Sequence, residues 1–398
     1  MASDYDNKNH ILKFAFANAT HSLCFTNEWF PNAVKLLPFR IKRSNATVGG
    51  GGAPFSKAFC DIDGHSVEYL FGDVFRKGIT LVTKYLSRET IPEDKTDRLL
   101  LGKLLDFKKE ERRINLDPQK LSEIELTVLL TNHLFGKLAT SNCFIIDKGI
   151  PGKKGDQCFC DDRSCKMTGQ YGDTSIGNIE VWHGNLDIII NNDFIVGPLE
   201  NIPDSPGGKG PVEVKVKPNV LSGNAQIISQ TIVFSFFKKQ TRPERKHFLS
   251  PCIGVGNSSM IVMFYDSEHD VILESSHIPL FRRCGENKYE FDDAAILVSW
   301  LSVNYKFLSS GLTEEMKKFK SGFFTEAQEK INVYEEKLQL GNIARSVPVL
   351  DFRKRSLHWS SFIEETETEL IEIIHREKKR MKLSESDGPD QMGAGTNQ

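Results

Sequence analysis

The sequence predicts an α/β protein. Three observations carry that expectation. Short apolar runs of strand type recur along the middle of the chain, among them "HGNLDIII" at residues 183–190, "VEVKVK" at 212–217 and "CIGVGNSSMIVMFY" at 252–265. Helix-type segments lie between and before them, at residues 117–141 and 224–237. Turn-forming Gly, Pro, Asn and Asp separate the two kinds of segment, the pattern expected when helices cover a sheet.

Taken in order, the first 116 residues are aromatic-rich and of uncertain fold, with "VGGGGAPF" at 48–55 as a flexible break. Residues 117–141 space Ile124, Val128, Leu129, Leu134 and Leu138 at helical intervals. The following stretch, through residue 175, is dense in Gly, Cys and Asp and has no apolar period, so it is either disordered or held by something other than a core. Residues 178–190 read as strand, and "NND" at 191–193 offers a tight turn into "FIVG", giving a hairpin. A Gly/Pro-rich insertion leads to the strand at 212–217, and Asn224 can cap the helix after it. "AAILVSWLSV" at 294–303 fits a strand or a helix equally. Two charged, helix-favouring segments, 313–340 and 359–382, precede a polar tail. The resulting division is an N-terminal region at 1–116, a main domain at 117–310, a helical extension at 311–383 and a disordered tail at 384–398.

Composition removes several function classes. The chain has 398 residues, 39% hydrophobic and 26% charged, enough to bury a sizeable core. A net charge of -2 excludes a generally basic nucleic-acid coat, though not a local basic patch. No stretch approaches the roughly 18 apolar residues of a membrane span, and the N-terminus is polar, so the expectation is an intracellular protein, nuclear or cytoplasmic, with no membrane partner. Eight cysteines are too sparse for a disulfide scaffold. "KKRMK" at 378–382 reads equally as a nuclear localisation signal and as the basic end of a helix.

Chemistry enters with charges inside apolar runs, because a buried charge is costly unless paired or ligated. Asp187 interrupts "NLDIII", and Glu213 and Lys215 alternate with valines so that both project to one face of their strand. If the two strands pair side by side, Asp187 sits opposite Glu213. Two carboxylates and the main-chain carbonyl of Val214 then offer hard oxygen ligands to Mg²⁺ (or Mn²⁺), beside a lysine suited to phosphodiester hydrolysis. Gln226 and Gln230, at i and i+4 of the next helix, share a face from which an amide can hold water or a phosphate.

These residues, Gly184-Asn185-Leu186-Asp187, Glu213-Val214-Lys215 and Gln226 four before Gln230, resemble the PD-(D/E)XK nuclease superfamily, in the branch of bacterial recombination, CRISPR-associated and phage lambda exonucleases. The likeness spans about residues 121–237. It implies a restriction-endonuclease-like mixed sheet flanked by helices, with Asp187 and Glu213 as metal ligands, Lys215 as catalytic lysine and Gln226 as the helix glutamine. It also implies a glutamate on a preceding helix, for which Glu125, Glu123 and the strand residue Glu180 are candidates. Two features depart from the family: the gap between Asp187 and Glu213 is long, and Gln230 stands where a tyrosine is expected. The function implied is Mg-dependent hydrolysis of DNA. The alternative is a catalytically inactive nuclease-fold module that binds nucleic acid, or protein partners through the C-terminal helical segments.

Two further signals stand apart. Residues 208–246 carry eight basic against two acidic side chains, and Lys217, Lys238, Lys239 and Arg242 there are candidate phosphate contacts or a solvated basic loop. Cys143, Cys158, Cys160 and Cys165 are candidate zinc ligands, although Cys-x-Cys is tighter than the usual pair and reduced thiols are the simpler reading. His133 and His183 read as hydrogen-bonded structural histidines.

Overall fold

One mixed sheet of eleven strands organises the chain. Its principal strands are β1 (Lys35–Ser44), β2 (Cys60–Gly64), β3 (Phe144–Asp147), β4 (Gln170–Gly172), β5 (Ile188–Ile190), β6 (Phe194–Pro198), β7 (Leu249–Val255), β8 (Ser259–Asp266) and β9 (Val271–Ser275). They are ordered β2-β1-β9-β8-β7-β6-β5-β3-β4, with Tyr69–Leu70 pairing β1 and Ile278–Pro279 pairing β8. β6 runs parallel to β7 and β4 parallel to β3, while the other neighbours along this path are antiparallel. The computed structural model describes residues 2–26, 33–47, 52–110, 117–141, 143–160, 162–191, 193–199, 223–256, 258–285 and 288–343. The strand expected at 212–217, the segment at 359–382 and the tail lie outside them.

Alternation along the strands feeds two cores. Ile188, Ile190, Phe194, Val196, Ile253, Val262 and Phe264 enter one cluster; Ile189, Ile195, Cys252, Ile261, Met263 and Tyr265 enter the other. Both faces are covered, which is why these strands read as continuous apolar runs. Each such side chain contributes about 2 kcal/mol over its exposed state.

Helices α1 (Ala2–Cys24), α2 (Arg76–Arg88), α3 (Lys95–Glu110), α4 (Glu123–Leu130) and α6 (Asp293–Val303) supply the first cluster. On α4, Ser122 and Glu125 form a reciprocal cap, Glu125 N donating to Ser122 Oγ (3.3 Å) and Ser122 N to Glu125 Oε2 (2.9 Å). The helix continues through a π-turn, Thr131–Phe135, and one more α-turn, Gly136–Leu138. The second face is covered by α5 (Ala225–Thr241) together with Trp182, Phe323 and Tyr334. α5 starts where Asn224 Oδ1 accepts from Ile227 N (3.0 Å) and stops before Pro243, and it connects the parallel strands β6 and β7.

Several expectations are corrected. The stretch at 294–303 resolves as helix, because Asp292 caps it (Ala294 N to Oδ1, 2.9 Å) and its apolar residues are buried all round. No boundary falls at residue 116: β1 and β2 are part of the same sheet, α1 contributes Phe16 and Leu23 to the same core as α6, and residues 1–346 form one compact unit. The charged segment at 313–340 is no long helix. It breaks into Met316–Lys318, Phe323–Ala327, Ile331–Glu336 and a strand, Gln339–Leu340. Aromatic anchoring decides this, with Phe323 and Tyr334 packing against Phe236 and each other, and Gly322 at φ 76° turning the chain. Residues 178–190 form two strands rather than one: His183–Asn185 joins Ser175–Gly177 and Gln339–Leu340 in a small second sheet, and β5 follows after a break at Leu186 and Asp187. No helix among the described residues is long and apolar enough to cross a membrane.

Candidate functional site

Asp187 stands at the bend between the two sheets. It is half-buried and precedes β5 by one residue, on the face that carries Ile189 and α5. Since Ile188 pairs with Val196, the next rung sets Gly197 across from Asp187. A Cβ at Gly197 would lie 3.0 Å from Asp187 Oδ2 and 3.5 Å from Gln230 Oε1, so the carboxylate and the α5 amide meet over a residue with no side chain. Gln230 is 2% exposed and its Nε2 has no hydrogen-bond partner among the described residues, an arrangement that costs about 1–3 kcal/mol if nothing satisfies it. Gln226, half-buried, sits one turn nearer the start of α5. Cys252, on the neighbouring strand, is a buried thiol pushed up to about 12 by burial, with a hydrogen bond from Thr231 opposing and the charge of Asp187 adding to the rise.

The bend is held by Asp147, which no sequence pattern singles out. Its main-chain N donates to Asp187 O (2.9 Å), and its carboxylate accepts from Thr174 Oγ1 (2.8 Å), Asn185 Nδ2 (2.8 Å) and Gly149 N (2.7 Å). With these three donors the carboxylate ties Thr174, Asn185 and the turn at Gly149 together beside the bend.

Glu213, Val214, Lys215 and Lys217 lie outside the described residues, between Leu199 and Gly223. Within the described residues, the strand that follows Asp187, β5, pairs with β3 on one side and β6 on the other. Glu125 is occupied by the cap of α4, which packs on the opposite core, and exposed Glu180 pairs with Lys330 (2.7 Å). Neither converges on Asp187. Glu123 is half-buried in the first turn of α4. His183 is buried, with Nδ1 2.8 Å from Val181 O.

Of the basic candidates, Lys238 is not a free phosphate contact. Its Nζ lies 2.8 Å from Asp193, which also receives Arg245 (2.8 Å) and Lys306 (2.9 Å). Burial would raise the Asp193 carboxyl, but Lys238 and Lys306 outweigh that and hold it well below the usual carboxylate range. Lys239 donates to Ser267 O (3.2 Å), and Arg242 is exposed.

Cysteine chemistry gathers elsewhere, on the first core's side. His133, Cys158, Cys160 and Cys165 place one donor atom each within 4.8 Å of one another, a group able to hold a metal ion. Cys143 is not among them; it is exposed and lines a separate cavity with Ser141, Asn191 and Lys306. The sequence lacked any standard spacing that would tie His133, on a preceding helix, to the cysteines. A second metal-capable group, Asp266, Glu268 and His269, caps the turn after β8, where Asp266 Oδ1 accepts from Glu268 N (3.0 Å) and His269 N (2.8 Å).

No protein-family model matches this chain, and no curated protein or solved structure is significantly similar to it.

Proposed function

We propose that the chain is a divalent-metal-dependent nuclease that hydrolyses DNA phosphodiester bonds at the Asp187 rim. One observation carries the reading: Asp187 and Gln230 converge over Gly197, at the carboxyl end of β6 where the crossover helix α5 begins, and Gln230 keeps an unsatisfied buried amide. In open α/β sheets that end of a strand is where ligands bind. The mixed sheet with helices on both faces agrees with the restriction-endonuclease-like fold implied by the sequence resemblance.

The donors at this rim are carboxylate and amide oxygens, the type that Mg²⁺ or Mn²⁺ takes, whereas the sulfur-rich group on the other core suits Zn²⁺. When bound, the hard cation supplies a water of lowered pKa and neutralises charge on the phosphate. Asp187 would hold the cation, with Glu213 and the carbonyl of Val214 as the further ligands the sequence resemblance implies. Lys215, the catalytic lysine implied by the sequence resemblance, would neutralise charge on the phosphate. Gln226 orients the attacking water, and the Gln230 amide donates to a phosphate oxygen. The chain leaves β6 at Leu199 and enters α5 at Gly223, so the segment bearing Glu213 and Lys215 is tethered at both ends to the elements that carry Gly197 and Gln230.

The test is cleavage of duplex and single-stranded DNA by the full chain with Mg²⁺ or Mn²⁺. Activity is expected to fall about 100-fold or more in Asp187→Asn and in Lys215→Ala, with unchanged circular dichroism. Cleavage at the wild-type rate in either variant would refute the assignment. A second reading, an inactive fold that only binds nucleic acid, is favoured by the glycine that takes the place across from Asp187. DNA retention without product at any metal concentration would select it.

A further inference from the structure

We propose that His133, Cys158, Cys160 and Cys165 bind one Zn²⁺ in a closed tetrahedral site that pins the loop between β3 and β4 onto the α4 helix. This does not depend on the nuclease reading, since the group lies on the other face of the sheet and shares no residue with the Asp187 rim.

The donors come from two pieces of chain far apart in sequence. His133 projects from the π-turn of the α4 helix, and π-turns are local distortions frequently found at functional sites. The three cysteines come from a small ribbon in which Cys158 N donates to Cys165 O (3.1 Å), Met167 N to Asp156 O (2.8 Å) and Gln157 bridges Lys166. His133 Nε2 lies 3.2 Å from Cys158 Sγ and 3.5 Å from Cys165 Sγ. A tetrahedron with bonds of about 2.3 Å to sulfur and about 2.0 Å to nitrogen has edges of about 3.5–3.8 Å, so the side chains are near ligating positions already. Three sulfurs and an imidazole are soft donors that select Zn²⁺ over Mg²⁺ or Ca²⁺, and four protein ligands leave no open position, which marks a structural rather than a catalytic site.

Asn132, the residue before His133, holds the arrangement. Its amide N donates towards Cys158 Sγ (3.4 Å) and to Lys166 O (3.3 Å), and its Oδ1 accepts from Thr168 N (3.2 Å) and Thr168 Oγ1 (2.8 Å). Such outer contacts orient ligands and stabilise thiolate charge. Residues 151–155 are all exposed, and the loop meets the first core only further along, through Cys158, Phe159 and Met167 beside the ligand group, so a metal there would fix the point at which the loop is anchored.

Zinc content is measured on the full chain purified under reducing conditions without chelators, together with the visible absorption of the Co²⁺-substituted protein. About one zinc per chain is expected in wild type and in Cys143→Ser, and a tetrahedral thiolate cobalt spectrum in both. Cys158→Ser and Cys165→Ser should lose the metal, while Asn132→Ala should bind it about 10- to 100-fold more weakly. Because a ligand variant that fails to fold would also lose zinc, His133→Cys supplies the second readout: it should keep zinc and shift the cobalt bands toward four thiolates. Chelation of wild type should speed tryptic cleavage at Lys153, Lys154 and Arg163. Wild type that carries no zinc and takes up no Co²⁺, a Cys158–Cys165 disulfide, zinc retained in both serine variants, cobalt bands unmoved in His133→Cys, or cleavage unchanged by chelation would each overturn the proposal.

Discussion

Asp193 sits in the turn of the β5–β6 hairpin with three cations on one carboxylate, and its side chain is 15% exposed against 7% for Lys238. Removing one partner of a buried pair leaves the other charge uncompensated, so Asp193→Asn is expected to destabilise the fold by about 3 kcal/mol or more in urea unfolding. The same group gives the chain an acid limb. Its carboxyl is depressed in the folded state, so its contribution is fully present above the unfolded value of about 3.9 and is lost as pH falls through the lower folded value. Stability measured between neutral pH and about pH 3 should therefore fall less steeply in Asp193→Asn than in wild type. The sequence offered Lys238 as a phosphate contact because charge density is visible in a sequence and charge pairing is not. Asp187 stood out in the sequence for the opposite reason: a carboxylate within "NLDIII" needs an explanation wherever the strand goes.

At the scale of elements, caps and alternation were the parts a reader could see. Asn224 caps α5 as its position suggests, and Asn224→Ala should cost about 1 kcal/mol while Asn224→Gly costs only a few tenths, measured by denaturant midpoint. The 191–193 turn closes the expected hairpin, with Asn191 at φ 53°. Where local preference was the whole argument, tertiary packing overruled it. The segment at 313–340 has the composition of a helix, yet Phe323 packs on Trp182 and Phe236, Tyr334 packs on Phe236, and positive φ at Gly322 and Gln328 interrupts the helical path. Cys143 was grouped with the other cysteines by proximity along the chain. The fourth donor instead comes from His133, delivered by a helical distortion that no pattern of residues announces.

The compact unit of residues 1–346 is built on one large sheet with a core on each side, and the same strands feed both. Trp300 lies in the core built with α1 to α4, and Trp182 in the core under α5. In the wild-type chain, tryptophan fluorescence and far-ultraviolet circular dichroism are expected to report the same denaturant midpoint, because neither core survives loss of the shared strands. Separated midpoints would show that the faces melt independently. The boundary expected after residue 116 failed for a related reason: β1 hydrogen-bonds β9, more than two hundred residues downstream, and pairing at that distance leaves no trace in local sequence.

An open sheet also ends twice, and its outermost strands leave one side unpaired. Here the two ends are blunted differently. β4 is only three residues long, and β2 presents Asp61 and Asp63, which pair with Arg43 (3.2 Å) and Lys42 (3.1 Å). A short border and a charged one are poor templates for docking another strand. Among the described residues, neither end of the eleven-stranded sheet is a long apolar border onto which a second copy could add a strand.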